Sequence, residues 1–295
     1  MVNGVYRTPE ERFAGLPDFP FEPHYVEIDG LRMHYLEEGR GDPILLLHGE
    51  PTWSFLYRNM IPALSGRFRC VAPDYIGFGR SDKWTEVGAY SFARHFADLE
   101  RFAETLDLRR ITLVVQDWGG PLGLHYVVRH HDRVARLVIL NTGLLSGEAV
   151  TLSPGLVKWR EYALRTPDLP IGQIIRRAVL ERATLSDAVV AAYDAPFPTP
   201  ESKAGARAFP ALIPTRPDAP GGAEMRETRA ALALWDKPAL VCFSDSDPVF
   251  PPAVGHALAA LIPGSRFSLI CRAGHFLQEE KGPEIAQEIL AFVPD

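Results

Sequence analysis

The chain has 295 residues, of which 46% are hydrophobic and 23% charged, and its 31 basic and 37 acidic residues give a formal net charge of −6. This composition is that of an ordinary globular protein with a large core, which excludes disordered, collagen-like and coiled-coil proteins. The negative charge also argues against a nucleic-acid-binding protein, because such proteins carry a basic surface.

The first predicted element is a β-hairpin over residues 24–39, where apolar and polar residues alternate on both sides of Asp29 and Gly30. After it, short apolar runs predict strands buried on both faces, with helices between most of them. This alternation predicts a mostly parallel sheet with helices on both faces. The predicted strands are 43–49, 69–74, 111–117, 136–141, 239–245 and 266–270, and the predicted helices are 53–65, 91–107, 120–129, 252–262 and 283–293.

The alternation is interrupted once, between Asn141 and Pro238. Seven prolines between residues 196 and 220 exclude one long helix there. The stretch predicts a helical insertion after the sixth strand, which would cover the sheet edge where parallel strands end and enclose a pocket. We therefore predict a core domain of residues 1–145 and 236–295 and a helical cap domain of residues 146–235. The predicted cap helices are 155–165, 171–182, 186–193 and 223–235.

Neither a signal peptide nor an apolar run long enough to span a membrane is recognisable, so we expect a cytoplasmic protein. Cys70, Cys242 and Cys271 lie in or beside apolar runs and are expected to be buried, reduced thiols. The histidines lack the spacing of metal ligands, and we expect no metal site.

Asp117 follows a predicted strand and precedes a predicted helix, which is where the G-x-S-x-G motif of hydrolases places its nucleophile. Such an aspartate could also be a helix N-cap. Asp247 and His275 follow the last two strands, so that nucleophile, acid and histidine stand in hydrolase order. Asp245 is a second candidate acid, and some relatives of this pattern place the acid where this chain has Asn141.

The turn after the first long strand contains His48, Gly49, Glu50 and Pro51. It predicts an oxyanion hole made by the backbone N–H groups of Glu50 and Trp118, although a plain glycine–proline turn has the same residues. The side chain of Glu50 could brace the turn or hold a water molecule. The segment GFGRSD at 77–82 is interpreted as a structural turn, because it lacks the third glycine of a phosphate loop.

The segments HGEPTW, APDYIGFGRSDK, VVQDWGG, YDAPFP and AGHFLQE resemble the haloalkane dehalogenases of the α/β-hydrolase fold, and the similarity runs from about Tyr25 to the C-terminus. DWGG alone is shared with soluble epoxide hydrolases, whereas the combination is specific. The chain is most similar to the subgroup that binds the leaving halide with two tryptophans. This resemblance implies that Trp118 and Trp159 are the halide donors.

The residue types agree with this reaction. A carboxylate that attacks an sp³ carbon displaces a leaving group and forms an ordinary ester, so Asp117 favours alkylation. Indole N–H groups donate to the halide in an otherwise apolar pocket. Water then attacks the ester, His275 takes the proton, and Asp247 orients the imidazole. A haloalkane and water become a primary alcohol and halide, with no cofactor, oxygen or metal.

Three alternatives stay open. An epoxide hydrolase would use the same Asp, His and acid together with two cap tyrosines, for which Tyr162 and Tyr193 are available. A fluoroacetate-type dehalogenase would need arginines after the nucleophile, where this chain has residues 118–121, WGGP, so a charged substrate is disfavoured. A non-catalytic binding protein could share the fold. We expect a monomer acting on small apolar haloalkanes.

Overall fold

The structure is a computed structural model and describes residues 4–148 and 152–293. Its centre is an eight-stranded sheet built around the apolar runs of the sequence. The strands are β1 (His24–Ile28), β2 (Leu31–Glu38), β3 (Pro43–Leu47), β4 (Arg69–Pro73), β5 (Ile111–Val115), β6 (Val134–Leu140), β7 (Ala239–Ser244) and β8 (Arg266–Ile270).

The strand order across the sheet is β8-β7-β6-β5-β3-β4-β2-β1. Strands β3 to β8 pair in parallel, whereas β2 pairs antiparallel with both β1 and β4. The hairpin prediction is confirmed, since Asp29 and Gly30 have φ angles of 50° and 77°, which a two-residue turn requires. Because the parallel strands end at one edge, the residues that follow them are brought together there.

Burial explains why the central strands are apolar throughout. Every residue of β3, β5 and β7 is buried, as expected for parallel strands covered by helices on both faces. Strand β8 lies at the edge of the sheet and buries only Ile270, so the prediction that it is buried on both faces is wrong. All three cysteines are free, but Cys271 is exposed, contrary to prediction, because it follows this edge strand.

The helices flank the sheet. Residues 53–65 do not form one helix: a 3₁₀ turn, Ser54–Tyr57, precedes a short helix, because Pro62 can stand only in a first helical turn. The last helix begins at Leu277 and is kinked at Lys281. No helix in the described ranges is long and apolar enough to cross a membrane. The helices outside the insertion are α1 (Ile61–Leu64), α2 (Phe92–Thr105), α3 (Gly119–Arg129), α9 (Pro252–Leu261) and α10 (Leu277–Phe292).

Between β6 and β7 the chain is helical, in the place where the sequence predicts an insertion. The second helix of this region ends at Ala178 rather than at residue 182, and the short helix α7 was not predicted because prolines surround it. The helices are α4 (Pro154–Arg165), α5 (Ile171–Ala178), α6 (Asp187–Asp194), α7 (Ala204–Ala208) and α8 (Gly222–Leu232).

Candidate active site

Asp117 stands in a sharp turn between β5 and α3. Its φ angle of +47° lies in the left-handed region that residues other than glycine rarely adopt, and its N–H donates to the carbonyl of Asn141 at 2.9 Å. The turn is possible because glycines follow it. A Cβ at Gly119 would lie 2.2 Å from the carbonyl oxygen of Leu47, and one at Gly120 would lie 1.9 Å from Oγ1 of Thr142.

His275 lies between two carboxylates. Its Nδ1 is 2.9 Å from Oδ2 of Asp247, and its Nε2 is 3.6 Å from Oδ2 of Asp117. The other oxygen of Asp247 accepts a hydrogen bond from the N–H of Val249 at 2.7 Å. The three residues predicted from their positions after β5, β7 and β8 therefore lie side by side in space. The imidazole is close enough to take a proton from a group bound beside Asp117.

The two carboxylates change the proton affinity of this histidine. Burial of the imidazole opposes its charge, but Asp247 and Asp117 outweigh this effect and raise the pKa of His275 to about 10. Asp117 contributes through its carboxylate, 3.6 Å from Nε2. Beside these two carboxylates, the imidazole is thus a cation at neutral pH.

Asp245, the second candidate acid, has a different position. Its carboxylate accepts hydrogen bonds from the N–H groups of Arg272 and Ala273 at 2.9 Å and 3.3 Å, on the exposed side of the loop after β8. These bonds fix the path of the chain towards His275. Asp245 therefore shapes the loop, and the acid that contacts the imidazole is Asp247.

Glu50 brings a backbone donor to Asp117. Its N–H donates to Oδ1 of Asp117 at 2.8 Å, which is one of the two bonds predicted for the oxyanion hole. Gly49 allows this approach, since a Cβ there would lie 2.3 Å from Cβ of Asp117. The predicted second donor is the N–H of Trp118, the residue between Asp117 and α3.

The side chain of Glu50 is buried beside the nucleophile. Burial raises the pKa of Glu50 well above its ordinary value, and the charge of Asp117 adds to this rise, whereas Trp159 and His275 oppose it. Its Oε1 has no hydrogen-bond partner among the described residues. The carboxyl group is biased towards its protonated form, because a second anion beside Asp117 would be costly.

Two amide side chains support the histidine, and sequence reasoning assigned neither of them this role. Nδ2 of Asn141 donates to Oγ of Ser244 at 2.7 Å and to the carbonyl of His275 at 3.1 Å. Nε2 of Gln116 lies 3.4 Å from Nε2 of His275. The available signal was their position at the carboxyl ends of β6 and β5, where polar residues follow apolar runs.

Trp118, Trp159 and Asp117 line one apolar cavity with a volume of about 40 Å³. Trp118 is buried and packs edge-on against Phe209 at a centroid distance of 4.9 Å. Trp159 is half-buried on α4. The remaining walls are mostly apolar and include Phe92, Leu145, Leu156, Ile213, Met225 and Phe250.

A larger cavity of about 560 Å³ also reaches Asp117 and Trp159, on the side of His275 and Glu50. Tyr162, one of the two tyrosines that an epoxide hydrolase would need, lines this cavity. Tyr193 does not line either cavity: it is fully buried, and its hydroxyl donates to Glu279 of α10. Of the two candidate proton donors, Tyr162 thus shares a cavity with the nucleophile and Tyr193 does not.

Within residues 4–148 and 152–293, no group of three His, Cys, Asp or Glu side chains is arranged to hold a metal ion. Residues 77–82 form a turn closed by a hydrogen bond from the N–H of Gly77 to the carbonyl of Asp82.

Comparison with known proteins gives consistent results. A family model described as the alpha/beta hydrolase fold matches residues 42–282. A haloalkane dehalogenase from Psychrobacter cryohalolentis is 42% identical over 99% of this chain and 98% of its own length. Haloalkane dehalogenase 1 from Mycobacterium bovis is 46% identical over 98% of both chains. The tetrameric haloalkane dehalogenase DpaA from Paraglaciecola agarilytica superimposes with a TM-score of 0.92 at 38% identity, covering 98% of both chains.

Proposed function

The chain belongs to the haloalkane dehalogenases of the α/β-hydrolase fold, hydrolases that act on carbon–halide bonds, and we propose that it works through a covalent ester on Asp117. The observation that carries this mechanism is an aspartate at the strand-to-helix turn with the imidazole of His275 3.6 Å away. A carboxylate forms a stable ester with an alkyl carbon, and the imidazole is close enough to activate a water molecule that attacks it.

In the first step, an oxygen of Asp117 attacks the halogenated carbon, the new C–O bond forms, and halide leaves with the electrons of the C–X bond. The indole N–H groups of Trp118 and Trp159 donate to the departing halide. Both indoles line the small apolar cavity with Asp117, where a donor acts without competition from bulk water. Their assignment as halide donors rests on the resemblance to the subgroup with two halide-binding tryptophans, and the shared cavity supports it.

In the second step, water attacks the ester carbonyl carbon of Asp117, and His275 takes its proton. The N–H of Glu50, already bonded to the same carboxyl group, and the N–H of Trp118 stabilise the oxyanion. The alcohol leaves with the proton held by His275, and the carboxyl group of Asp117 then passes its remaining proton to His275, so that Asp117 is a carboxylate again. Asp247 keeps the imidazole oriented through its 2.9 Å contact.

Alkylation itself prepares the base. An ester on Asp117 carries no charge, so that the contribution of Asp117 to the raised pKa of His275 is lost while burial remains. The pKa of His275 therefore falls in the alkyl-enzyme, although Asp247 still raises it, and a larger fraction of the imidazole releases its proton to solvent. Displacement therefore increases the fraction of His275 that is neutral and can act as a general base for hydrolysis.

The helices between β6 and β7 provide the roof of the site in this proposal. Residues 1–145 and 236–295 form the core domain with the nucleophile, acid and base, and residues 146–235 form a cap domain. Trp159 of α4 is the cap residue that lines both cavities together with Asp117. Since every residue used comes from one chain, the reaction needs only a monomer.

The experiment that tests the mechanism separates its two steps. Mixed with excess 1,2-dibromoethane, His275→Gln is expected to release about one halide per active site and then stall, because displacement needs no base. Intact-protein mass spectrometry should show the alkyl adduct, and peptide mapping should locate it between Val115 and Gly120. Rapid-quench halide measurement supplies the stoichiometry.

Asp117→Asn is the matched control, since it keeps the shape of the side chain and removes the anion. It should release no initial burst of halide. Steady turnover by His275→Gln without an adduct would remove this histidine from the role of base. An adduct on any residue other than Asp117 would overturn the nucleophile and the mechanism built on it.

A further inference from the structure

The larger cavity offers more room than halide displacement from a short alkane requires. Its volume is about 560 Å³, against about 40 Å³ for the cavity between the two tryptophans. Asp117 and Trp159 line both cavities. If the halide of a substrate lies in the small cavity, the large cavity therefore has room for several carbons of its alkyl chain.

The large cavity changes in character from floor to opening. Glu50 and His275 are buried at its floor, and part of its wall is apolar, including Ile174, Val249 and Phe276. Two of its lining residues, Lys158 of α4 and Arg177 of α5, are exposed and so lie at the opening. Among the described residues, the carboxyl groups of its lining are those of Glu50 and Asp117, both at the floor.

The two cations at the opening are not neutralised. Within the described ranges, neither the side chain of Lys158 nor that of Arg177 forms a hydrogen bond or an ion pair with another residue. The neighbouring Arg176 differs, because it pairs with Asp187 at 2.6 Å and does not line the cavity. An uncompensated pair of cations beside an apolar wall attracts an anion on a flexible apolar chain.

Resting on the proposed dehalogenation, we propose that Lys158 and Arg177 bind a terminal anionic group of the substrate, and that ω-halogenated carboxylates are a substrate class of this protein. The carboxylate stays at the solvated opening, the methylene chain lies along the apolar wall, and the halogenated carbon reaches Asp117. Halide leaves and water supplies the hydroxyl, so the product is an ω-hydroxy carboxylate with its carboxylate unchanged.

This substrate class differs from the sequence-based expectation for a physical reason. The sequence disfavours an anionic substrate because no arginine stands directly after Asp117, where residues 118–121 are WGGP. That position would serve a carboxylate on the carbon next to the halogen. Lys158 and Arg177 come from α4 and α5, at the other end of the cavity, and serve a carboxylate several carbons away.

The test compares 6-bromohexanoate with its neutral isostere 6-bromohexanamide. The measured quantity is the ratio of their kcat/KM values, in the wild type, Lys158→Gln, Arg177→Gln and the double variant. We expect the wild type to prefer the carboxylate, each single substitution to lower the ratio about threefold, and the double variant to lower it about tenfold. Sodium sulfate at about 1 M ionic strength should also lower the wild-type ratio, because charges are then screened beyond about 3 Å.

Arg176→Gln is the matched control, since it removes an arginine from the same helix but outside the cavity, and it should leave the ratio unchanged. Hydrolysis of 1-bromobutane by each variant shows that the protein is folded and active. A ratio that is the same in the wild type and the double variant overturns the inference, as does hydrolysis of 1-bromobutane without any hydrolysis of 6-bromohexanoate.

Inhibition by added bromide, measured with 1-bromobutane, separates the substrate carboxylate from the released halide as the bound anion. A change in bromide inhibition with an unchanged substrate ratio would mean that the cations serve halide release, which overturns the proposed substrate class. If the wild type hydrolyses none of the bromoalkanes, the proposed dehalogenation itself fails.

Discussion

At the scale of single residues, the two tryptophans contribute differently to the cavity they share. Trp118 is buried and packs edge-on against Phe209, and this packing restricts the rotation of its indole. Trp159 is half-buried on α4, contacts Tyr162 at a centroid distance of 6.2 Å and interacts with the side chain of Glu50. A fixed donor is preorganised for the halide, whereas a donor on the insertion depends on how that region packs.

Replacing either tryptophan with phenylalanine keeps most of the apolar wall but removes one N–H. We expect Trp118→Phe and Trp159→Phe each to raise the barrier of the displacement step by about 2 to 4 kcal/mol. Single-turnover halide release measures this step, and halide quenching of tryptophan fluorescence measures halide binding. An unchanged rate and unchanged quenching in Trp159→Phe would place the second donor elsewhere in the insertion.

The pH dependence should differ between the two half-reactions. Displacement requires no base, so single-turnover halide release should not follow the loss of the proton from His275. Alcohol release requires neutral His275, so it should fall as the pH is lowered through the pKa of His275 in the alkyl-enzyme. That midpoint should lie below about 10, the value for His275 beside ionised Asp117. Identical profiles for halide and alcohol release would contradict the proposed change in the pKa of His275.

At the scale of elements, helix α2 contains a carboxyl group in an unfavourable place. Asp98 is 6% exposed, and its Oδ2 has no hydrogen-bond partner among the described residues. Burial raises the pKa of Asp98 to about 6, although the charge of Arg94 opposes the rise. The folded state therefore favours the protonated form, and above about pH 6 it holds a buried anion at a cost in stability.

Asp98→Asn removes this anion and keeps the shape of the side chain. Because the folded-state pKa is raised above the unfolded value, the wild type loses stability as the pH rises towards 6, and the variant does not. The variant should be more stable by about 1 to 2 kcal/mol above pH 6, with a gain that shrinks as the pH falls towards 4. Urea unfolding at several pH values measures the difference, and Glu104→Gln, at an exposed position on α2, should show no such trend.

The elements also show what sequence reasoning could reach. Buried parallel strands leave continuous apolar runs, so β3 to β7 could be predicted, and the chemistry-bearing residues follow from the rule that the ends of parallel strands meet. The same rule places Asn141 at this edge, but its contact with the carbonyl of His275 depends on the conformation of the loop after β8, which the sequence pattern does not specify. The cations at the cavity opening depend on how α4 and α5 pack, which no local pattern encodes.

At the scale of the whole molecule, one buried cluster joins the insertion to the core. Arg58 follows the 3₁₀ turn after β3 and forms a bidentate ion pair with Glu279 of α10, in which Nη2 of Arg58 lies 2.7 Å from Oε2 of Glu279. Tyr193 of α6 donates its hydroxyl to the same carboxylate. Arg58 and Tyr193 are 4% and 0% exposed, so the cluster is shielded from solvent and its members depend on one another.

The cluster predicts that replacing Glu279 lowers the free energy of unfolding more than replacing Tyr193 does. Glu279→Gln leaves the buried guanidinium of Arg58 without its counter-charge, and it should lower the free energy of unfolding by about 3 kcal/mol or more. Tyr193→Phe removes one hydrogen bond and should cost about 1 to 2 kcal/mol. Since both changes act on one carboxylate, the double variant should lose less than the sum of the single losses, by about 1 kcal/mol.

Chemical unfolding of the three variants measures these differences, with Glu284→Gln as the control. Glu284 lies on the same helix, pairs with Lys281 at 3.6 Å and is half-exposed, so its replacement should change stability by less than about 0.5 kcal/mol. Glu279→Gln unfolding at the same denaturant concentration as Glu284→Gln would show that the buried pair does not hold α10 to the core. Additive losses in the double variant would show that Tyr193 does not act through Glu279, and that α6 is held to the core by apolar packing alone.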